Sequence, residues 1–219
     1  MGKAVVLLSS GLDSTVNLYK ANNDMGVALA LSFDYGQKAA KNELANARAL
    51  CKKLKIPHKI VELPFIKNFS SSSLTSEDLQ VVTDVLIDDL DRSKETAKNV
   101  WVPNRNGIFL NIAAGFAEGL GAKYVIPGFN LEEAQTFPDN SKDYMHAATK
   151  SLSFSTANSV EIFCYTTDLN KTEIYKLGMS LNVDYELVWA CYHSGESMCG
   201  ECESCRRYFR AKTAYQEMI

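Results

Sequence analysis

Immediately after the apolar run Ala4-Val5-Val6-Leu7-Leu8 the chain reads Ser9-Ser10-Gly11-Leu12-Asp13-Ser14, and a helix-compatible stretch from Thr15 to Asn22 follows. A short buried strand, a turn of small residues and a new helix, in that order, commit the start of the chain to a layered α/β arrangement. The N–H groups of such a turn and of the first helical turn lack partners within the helix, so they converge on one spot beyond the strand end. With the roughly half positive charge of a helix N-terminus they form an anion site. Gly11 lets the backbone come close to a phosphate, and Ser9, Ser10 and Ser14 add hydroxyl donors. No Gly-Lys-Ser/Thr follows, so the lysine that reaches a transferring γ-phosphate in kinases and GTPases is missing. Such a loop suits a departing β,γ-pyrophosphate, which implies attack at the α-phosphate. The six letters alone also suit a serine-rich turn that holds no ligand.

Val27 to Phe33 reads as a second buried strand, and Ala40, Leu44, Ala47, Cys51 and Leu54 recur at helical spacing after it. His58 to Leu63, Tyr124 to Ile126 and Glu161 to Cys164 read as three further strands. Continuous apolar strands separated by helices predict a doubly wound parallel sheet with ligands at the carboxyl ends of its strands, where the 9–14 loop lies. Phe109, Ile112, Ala113, Phe116, Ala117 and Leu120 give one helix face ending at Gly121, and a last helix is predicted over about Lys171 to Leu181. Residues 64–104 break the pattern. Pro64, the serines 70–73 and the acidic stretch 77–91 read as an insertion, part mobile and part helical, folded over the sheet edge as a lid or as a plain surface loop. The expected division is a nucleotide-binding α/β domain over 1–185, carrying that insertion, and a cysteine-rich tail over 186–219.

Cys191, Cys199, Cys202 and Cys205 are spaced C-x7-C-x2-C-x2-C. Soft ligands in paired turns match tetrahedral zinc, and flanking amides donate to thiolates, so one structural Zn²⁺ per chain held by all four is the expectation. A redox C-x-x-C competes, but it leaves two cysteines idle and lacks its usual place at a helix start after an early strand. An iron–sulfur cluster is the remaining option. His193, between the ligands, is expected to be exposed. Cys51 and Cys164 read as core residues, His58 and His146 as structural ones.

With 219 residues, 46% of them hydrophobic, the chain can bury about 70% of its unfolded surface. A formal net charge of −3 argues against a nucleic-acid partner, whose usual footprint is basic. No apolar run approaches the ~18 residues of a membrane span, and residues 4–8 are too short for the apolar core of a secretory signal, so a cytoplasmic location and no membrane partner are expected. In such a compartment the cysteines speak for metal before disulfides.

The loop and the cysteine tail together resemble the 7-cyano-7-deazaguanine synthase (QueC) family of pyrophosphate-loop, ATP-dependent enzymes. Phe33-Asp34-Tyr35-Gly36-Gln37, Ser72-Ser73-Leu74-Thr75, Val102-Pro103-Asn104-Arg105-Asn106 with Phe109-Leu110, Gly128-Phe129-Asn130, Phe137-Pro138-Asp139 and Trp189-Ala190-Cys191-Tyr192 extend the similarity over nearly the whole chain. The resemblance implies an adenine nucleotide alpha hydrolase-like sheet with a C-terminal zinc-binding module. It also implies a carbon–nitrogen ligase that uses ATP to turn 7-carboxy-7-deazaguanine and ammonia into 7-cyano-7-deazaguanine, through adenylated intermediates, in queuosine biosynthesis. ATP would be held by Leu8, Ser9, Ser10, Gly11, Leu12, Asp13, Ser14, Thr15, Val16, Asn17 and Leu18. Asp13, Arg105 and Lys171 are the implied catalytic residues, Asp13 by shaping the loop or by binding Mg²⁺. Tyr35, Gly36, Gln37, Asn106, Asn130, Glu133 and Asp139 would surround the base. The partners are then the deazapurine acid, ammonia and ATP, with a homodimer left open.

The chain also departs from the family pattern. The family's Ser-Gly-Gly is Ser9-Ser10-Gly11 here, an exchange that suits a second position of negative φ. Lys38-Ala39 stands for Arg-His, Asn140-Ser141 for Cys-Arg and Glu133 for Asp. A salt bridge beneath the insertion is the alternative role for Arg105, a solvated helix end for Lys171, and a turn with an N-cap for Asp139. The alternative functions are a relative that takes another acid or stops at the amide, a tRNA-modifying pyrophosphate-loop enzyme, and a silent nucleotide-binding module.

Overall fold

The structure, a computed structural model, describes residues 3–83, 87 and 89–218. Strand β1 (Ala4–Leu7) is apolar throughout because both its faces are covered: Ala4 and Val6 join one core and Val5 the other. β2 (Val27–Asp34), β3 (His58–Glu62), β4 (Tyr124–Ile126) and β5 (Glu161–Ile162) complete a parallel sheet in the order β3-β2-β1-β4-β5. The helices are α1 (Leu12–Asp24), α2 (Ala40–Leu54), α3 (Leu90–Val100), α4 (Arg105–Gly119), α5 (Leu131–Ala134), α6 (Lys142–Ser155), α7 (Lys171–Ser180) and α8 (Glu203–Gln216).

One layer packs Val16 and Leu18 of α1, Leu50 of α2, Ile174 of α7 and Tyr208 of α8 against the Ala4/Val6 side of the sheet. The other packs Leu110 and Ala113 of α4 with Met145 and Leu152 of α6 against Val5, Leu31 and Val125. Each such fully buried aliphatic side chain contributes roughly 1.5–3 kcal/mol. Because β2 lies to one side of β1 and β4 to the other, the chain reverses direction of travel across the sheet at β1. The crevice beyond its carboxyl end is where ligands of such sheets sit. Among the described residues no helix is long and apolar enough to cross a membrane.

Two elements differ from expectation. β5 ends at Ile162, because the chain beyond it bends onto α1, where Asn17 accepts the Tyr165 N–H at 2.9 Å and donates to Thr166 Oγ1 at 2.7 Å. Lys171–Ser180 is not the last helix, since α8 follows within the tail. Within the insertion α3 is helical, and Ser72, Ser73, Leu74 and Thr75 are buried, with Ser73 N–H donating to the Asn99 carbonyl at 2.7 Å. Part of the acidic stretch, residues 84–86 and 88, lies outside the described residues.

Candidate functional site

A cavity of about 250 Å³ opens at the carboxyl ends of β1, β2 and β4. Its floor is Leu7, Leu31 and Phe33, and one flank is Pro127, Gly128 and Phe129 after β4. Gly128 passes so close to the start of α1 that a Cβ there would stand 2.7 Å from Ser14 N, so no larger residue fits. Leu74 and Val100 of the insertion form part of the wall, and Trp189, Cys191, Tyr192 and Tyr208 of the tail form another.

Of the loop, Leu8, Ser9, Gly11, Leu12, Asp13 and Ser14 line the cavity. Thr15, Val16, Asn17 and Leu18 are fully buried behind it and anchor α1 to the sheet. The hydroxyls of Ser9 and Ser14 pair with each other at 3.1 Å, and Ser9 Oγ accepts the Gly11 N–H at 3.3 Å. Ser10 corrects an expectation: its φ is +60°, in the left-handed region, whereas Gly11 has φ −64°. The strained position is held from outside, since the Ser10 carbonyl accepts the Trp189 N–H at 2.8 Å. Its buried hydroxyl has no partner among the described residues, and neither has that of Thr15.

At the helix start Asp13 meets Lys171, whose Nζ donates to Asp13 Oδ2 at 2.5 Å and to Glu133 Oε1 at 2.7 Å. Lys171 is 5% exposed, so it is no solvated helix end. Asn170 caps α7 in a reciprocal box with Glu173, which fixes where that lysine starts. Burial works against its charge, but the facing carboxylates of Asp13 and Glu133 hold its pKa above the ordinary lysine value. Burial raises the Asp13 carboxyl to about 6 against the pull of Lys171, while desolvation pushes the half-buried Glu133 carboxyl up but Lys171 and Asn130 hold it below its usual range. Asn130 caps α5 and donates to Asp13 Oδ2 at 3.2 Å, so it orients the aspartate without lining the cavity. Asp13 Oδ1 is buried and has no hydrogen-bond partner among the described residues. As a hard carboxylate oxygen in the cavity it fits Mg²⁺, which takes oxygen ligands.

Arg105 opens α4, lines the cavity and donates to Tyr35 Oη at 3.3 Å, with its guanidinium 5.9 Å from that ring's centre. No carboxylate pairs with it directly among the described residues, so the expected alternative of a salt bridge is not what holds it. Phe33 stacks on Phe109 at 4.1 Å and 13°, with Tyr35 tilted beside them, which makes a flat aromatic wall. Tyr35, Gln37, Asn106 and Glu133 line the cavity; Gly36 and Asp139 do not. Gly36 has φ +84°, and a Cβ there would strike the Lys67 side chain, so its role is the turn itself. Asp139 sits behind, where burial raises its carboxyl against the nearby Arg105 charge and bonds from Asn140 and Asn106. The N-cap expected of Asp139 falls instead on Ser141, which accepts the Tyr144 N–H at 3.2 Å, and Asn140 is the residue of that pair that reaches the cavity.

The four tail cysteines bring their sulfurs within 4.8 Å of one another, Cys199 to Cys205 at 3.8 Å. Amides of His193 and Cys199 point at Cys191 Sγ, and that of Cys202 at Cys199 Sγ. An all-sulfur cluster with amide donors fits a soft tetrahedral ion. Cys202 is the N-cap residue of α8 and Cys205 lies in its first turn, so this C-x-x-C stands at the start of the last helix and not after an early strand. His193 is half-buried rather than exposed. Cys51 is buried, His58 bonds to Ser32 Oγ at 2.9 Å, and Cys164 contacts the Phe129 carbonyl at 3.4 Å.

Sequence reasoning missed Glu43, Phe137, Trp189, Tyr192 and Tyr208 as cavity residues. Glu43 had a readable signal: it stands three residues after Ala40 and four before Ala47, a charge inside the apolar stripe of α2. It also missed Glu132, whose Oε1 accepts the Lys171 N–H at 2.8 Å while Oε2 accepts from Arg207 at 2.8 Å and Arg210 at 2.5 Å.

The model of the queuosine biosynthesis protein QueC matches residues 3–218. A 7-cyano-7-deazaguanine synthase of Bdellovibrio bacteriovorus is 58% identical over 212 residues, 95% of this chain and 92% of that one. Another, of Carboxydothermus hydrogenoformans, is 47% identical over 97% of this chain and 99% of that one. Among solved structures, a 4-thiouridine synthetase–RNA complex with bound ATP superposes with a TM-score of 0.55 at 18% identity, over 99% of this chain and 53% of that one. That likeness places the sheet among adenine nucleotide alpha hydrolase-like folds.

Proposed function

The chain belongs to the QueC family of queuosine biosynthesis proteins, and on that premise we propose that it is an ATP-dependent carbon–nitrogen ligase that makes 7-cyano-7-deazaguanine from 7-carboxy-7-deazaguanine and ammonia. The observation that carries this reading is one cavity joining an anion loop, a buried lysine and a flat aromatic wall. A carboxylate resists substitution because oxide is a very poor leaving group. Attack of its oxygen on the α-phosphorus of ATP releases pyrophosphate and leaves an acyl adenylate. Ammonia then displaces AMP, losing a proton, to give the amide. Attack of the amide oxygen on the α-phosphorus of a second ATP releases pyrophosphate, and loss of AMP and of both protons on nitrogen gives the nitrile.

In this reading Ser9, Gly11, Leu12 and Ser14 receive the pyrophosphate, with Ser9, Gly11 and Ser14 exchanging the hydroxyl contacts they make among themselves for contacts to phosphate oxygens. Lys171 and Arg105 stabilise the charge that develops on the phosphates and the acid. Asp13 Oδ1 and the neighbouring Glu133 would hold Mg²⁺, which offsets triphosphate charge when bound. Thr15 to Leu18 and Asn130 hold these groups in place. The tail over 186–219 serves as a zinc module closing the cavity of the domain over 1–185, and the protein works in the cytoplasm. The cysteine set fits Zn²⁺, and its one contribution is structural.

Mass spectrometry of products from ATP, ammonia and 7-carboxy-7-deazaguanine tests the reading. The nitrile is expected. Accumulation of the amide, or turnover with another acid only, would replace it.

A further inference from the structure

Glu43 projects from α2 into the cavity, and nothing in the reaction above uses it. Its Oε2 accepts the Gln37 side-chain N–H at 2.9 Å, while Oε1 has no hydrogen bond among the described residues. Both N–H donors of Gln37 are spent, the second on the Phe33 carbonyl at 3.0 Å, and its Oε1 accepts the Tyr35 N–H at 3.0 Å, so Gln37 is held by the backbone and fixes Glu43. The other cavity carboxylates, Asp13 and Glu133, each pair one oxygen with Lys171 and are assigned above to Mg²⁺, and Asp139 lies behind the wall.

Resting on the functional reading above, we propose that Glu43 determines specificity by taking the adjacent ring N–H and exocyclic amino donors of a guanine-like base, with Gln37 as its positioning residue. A carboxylate presents two oxygens to two parallel N–H donors, the same match that an Arg fork makes from the other side. The stacked Phe33 and Phe109 rings and Tyr35 line the same cavity and suit a flat heterocycle. Burial lifts the Glu43 carboxyl to about 7, against Gln37 and the Arg105 charge and with Asp34 adding repulsion, which is the state of a carboxylate still short of donors. A base edge would supply them.

The test uses the full chain with Glu43→Gln and Glu43→Asp. In Glu43→Gln the amide oxygen stays toward Gln37, so its NH₂ opposes the donors of the base. Steady-state kinetics should show KM for 7-carboxy-7-deazaguanine rising by about tenfold to a hundredfold, with KM for ATP within twofold. Wild type should also disfavour the analogue lacking the 2-amino group, and Glu43→Gln should lose that preference. Calorimetric binding of 7-cyano-7-deazaguanine and of its 2-desamino analogue reads the same contrast without turnover and reports whether each variant still holds a ligand. Unchanged discrimination, or a rise in KM for ATP instead, overturns the proposal while leaving the ligase reading intact. Glu43-dependent binding of the base by a chain that forms no nitrile overturns the ligase reading and leaves Glu43 in its role. A wild-type chain that does not bind the base overturns both.

Discussion

At the scale of single residues the loop stores strain in an unexpected place. Ser10 occupies left-handed backbone, which costs an L-residue other than glycine roughly 1–2 kcal/mol, and it buries a hydroxyl without a partner. Ser10→Gly relieves both, minus the extra freedom of an unfolded glycine, so urea unfolding should show a gain of about 1 kcal/mol. Ser10→Ala removes the hydroxyl too but keeps the strain, so a weaker ATP affinity shared by both variants would place the hydroxyl on phosphate. Asp13 is strained in charge instead. Its folded carboxyl is raised to about 6, so the folded chain holds that proton more tightly than the unfolded one. Ionising it therefore costs stability, a cost absent at low pH that grows between about pH 4 and 6. Asp13→Asn removes the charge and keeps an acceptor for Lys171, so its Tm should not fall. Turnover should drop at least tenfold, and the wild type's loss of rate below about pH 6 should be missing from the variant's pH profile.

Between elements, Glu132 ties the tail helix to the helix that carries Lys171. Burial pushes its carboxyl up, yet the Lys171 N–H and the Arg210 and Arg207 guanidiniums hold it below the usual range. A depressed folded pKa means stabilisation that is full above the ordinary carboxylate value and is lost as pH falls through the folded one. Glu132→Ala strips Arg207, whose side chain is 6% exposed, of one of its two carboxylates, the other being Glu203. Denaturant unfolding should show a loss of about 2–4 kcal/mol. This contact was illegible in the sequence, because Glu132 and Arg207 are 75 positions apart and each reads as an ordinary helix-surface charge. The same holds for α8, whose buried Tyr208 and Ala211 are too few among charged residues to give a helical period. β1 and β2 were legible because both their faces are buried and their runs are continuous, and the loop was legible because its small residues follow one such run. Asp139 was the opposite case: its Pro-Asp pattern was plain, but only folding shows that its carboxyl is turned behind the cavity toward Arg105 and Asn140.

For the molecule as a whole, the tail is half roof and half anchor. Trp189, Tyr192 and Tyr208 close the cavity, and the Trp189 N–H holds the strained Ser10 carbonyl two residues before Cys191. Thiolates gathered as closely as these repel one another without a cation, so on the proposed zinc reading the roof should depend on the ion. Purified protein should contain about one zinc per chain by elemental analysis, and iron in its place would redirect the reading to a cluster. Chelation, or Cys202→Ser, should loosen residues 186–219 to protease while circular dichroism still reports the sheet, whose own core clusters do not depend on the sulfurs. ATP affinity should fall with the tail, by about tenfold for each ~1.4 kcal/mol of lost loop preorganisation. A stripped chain that kept its tail protected and its ATP affinity unchanged would show that the Trp189–Ser10 bond, and not the ion, is what shapes the loop.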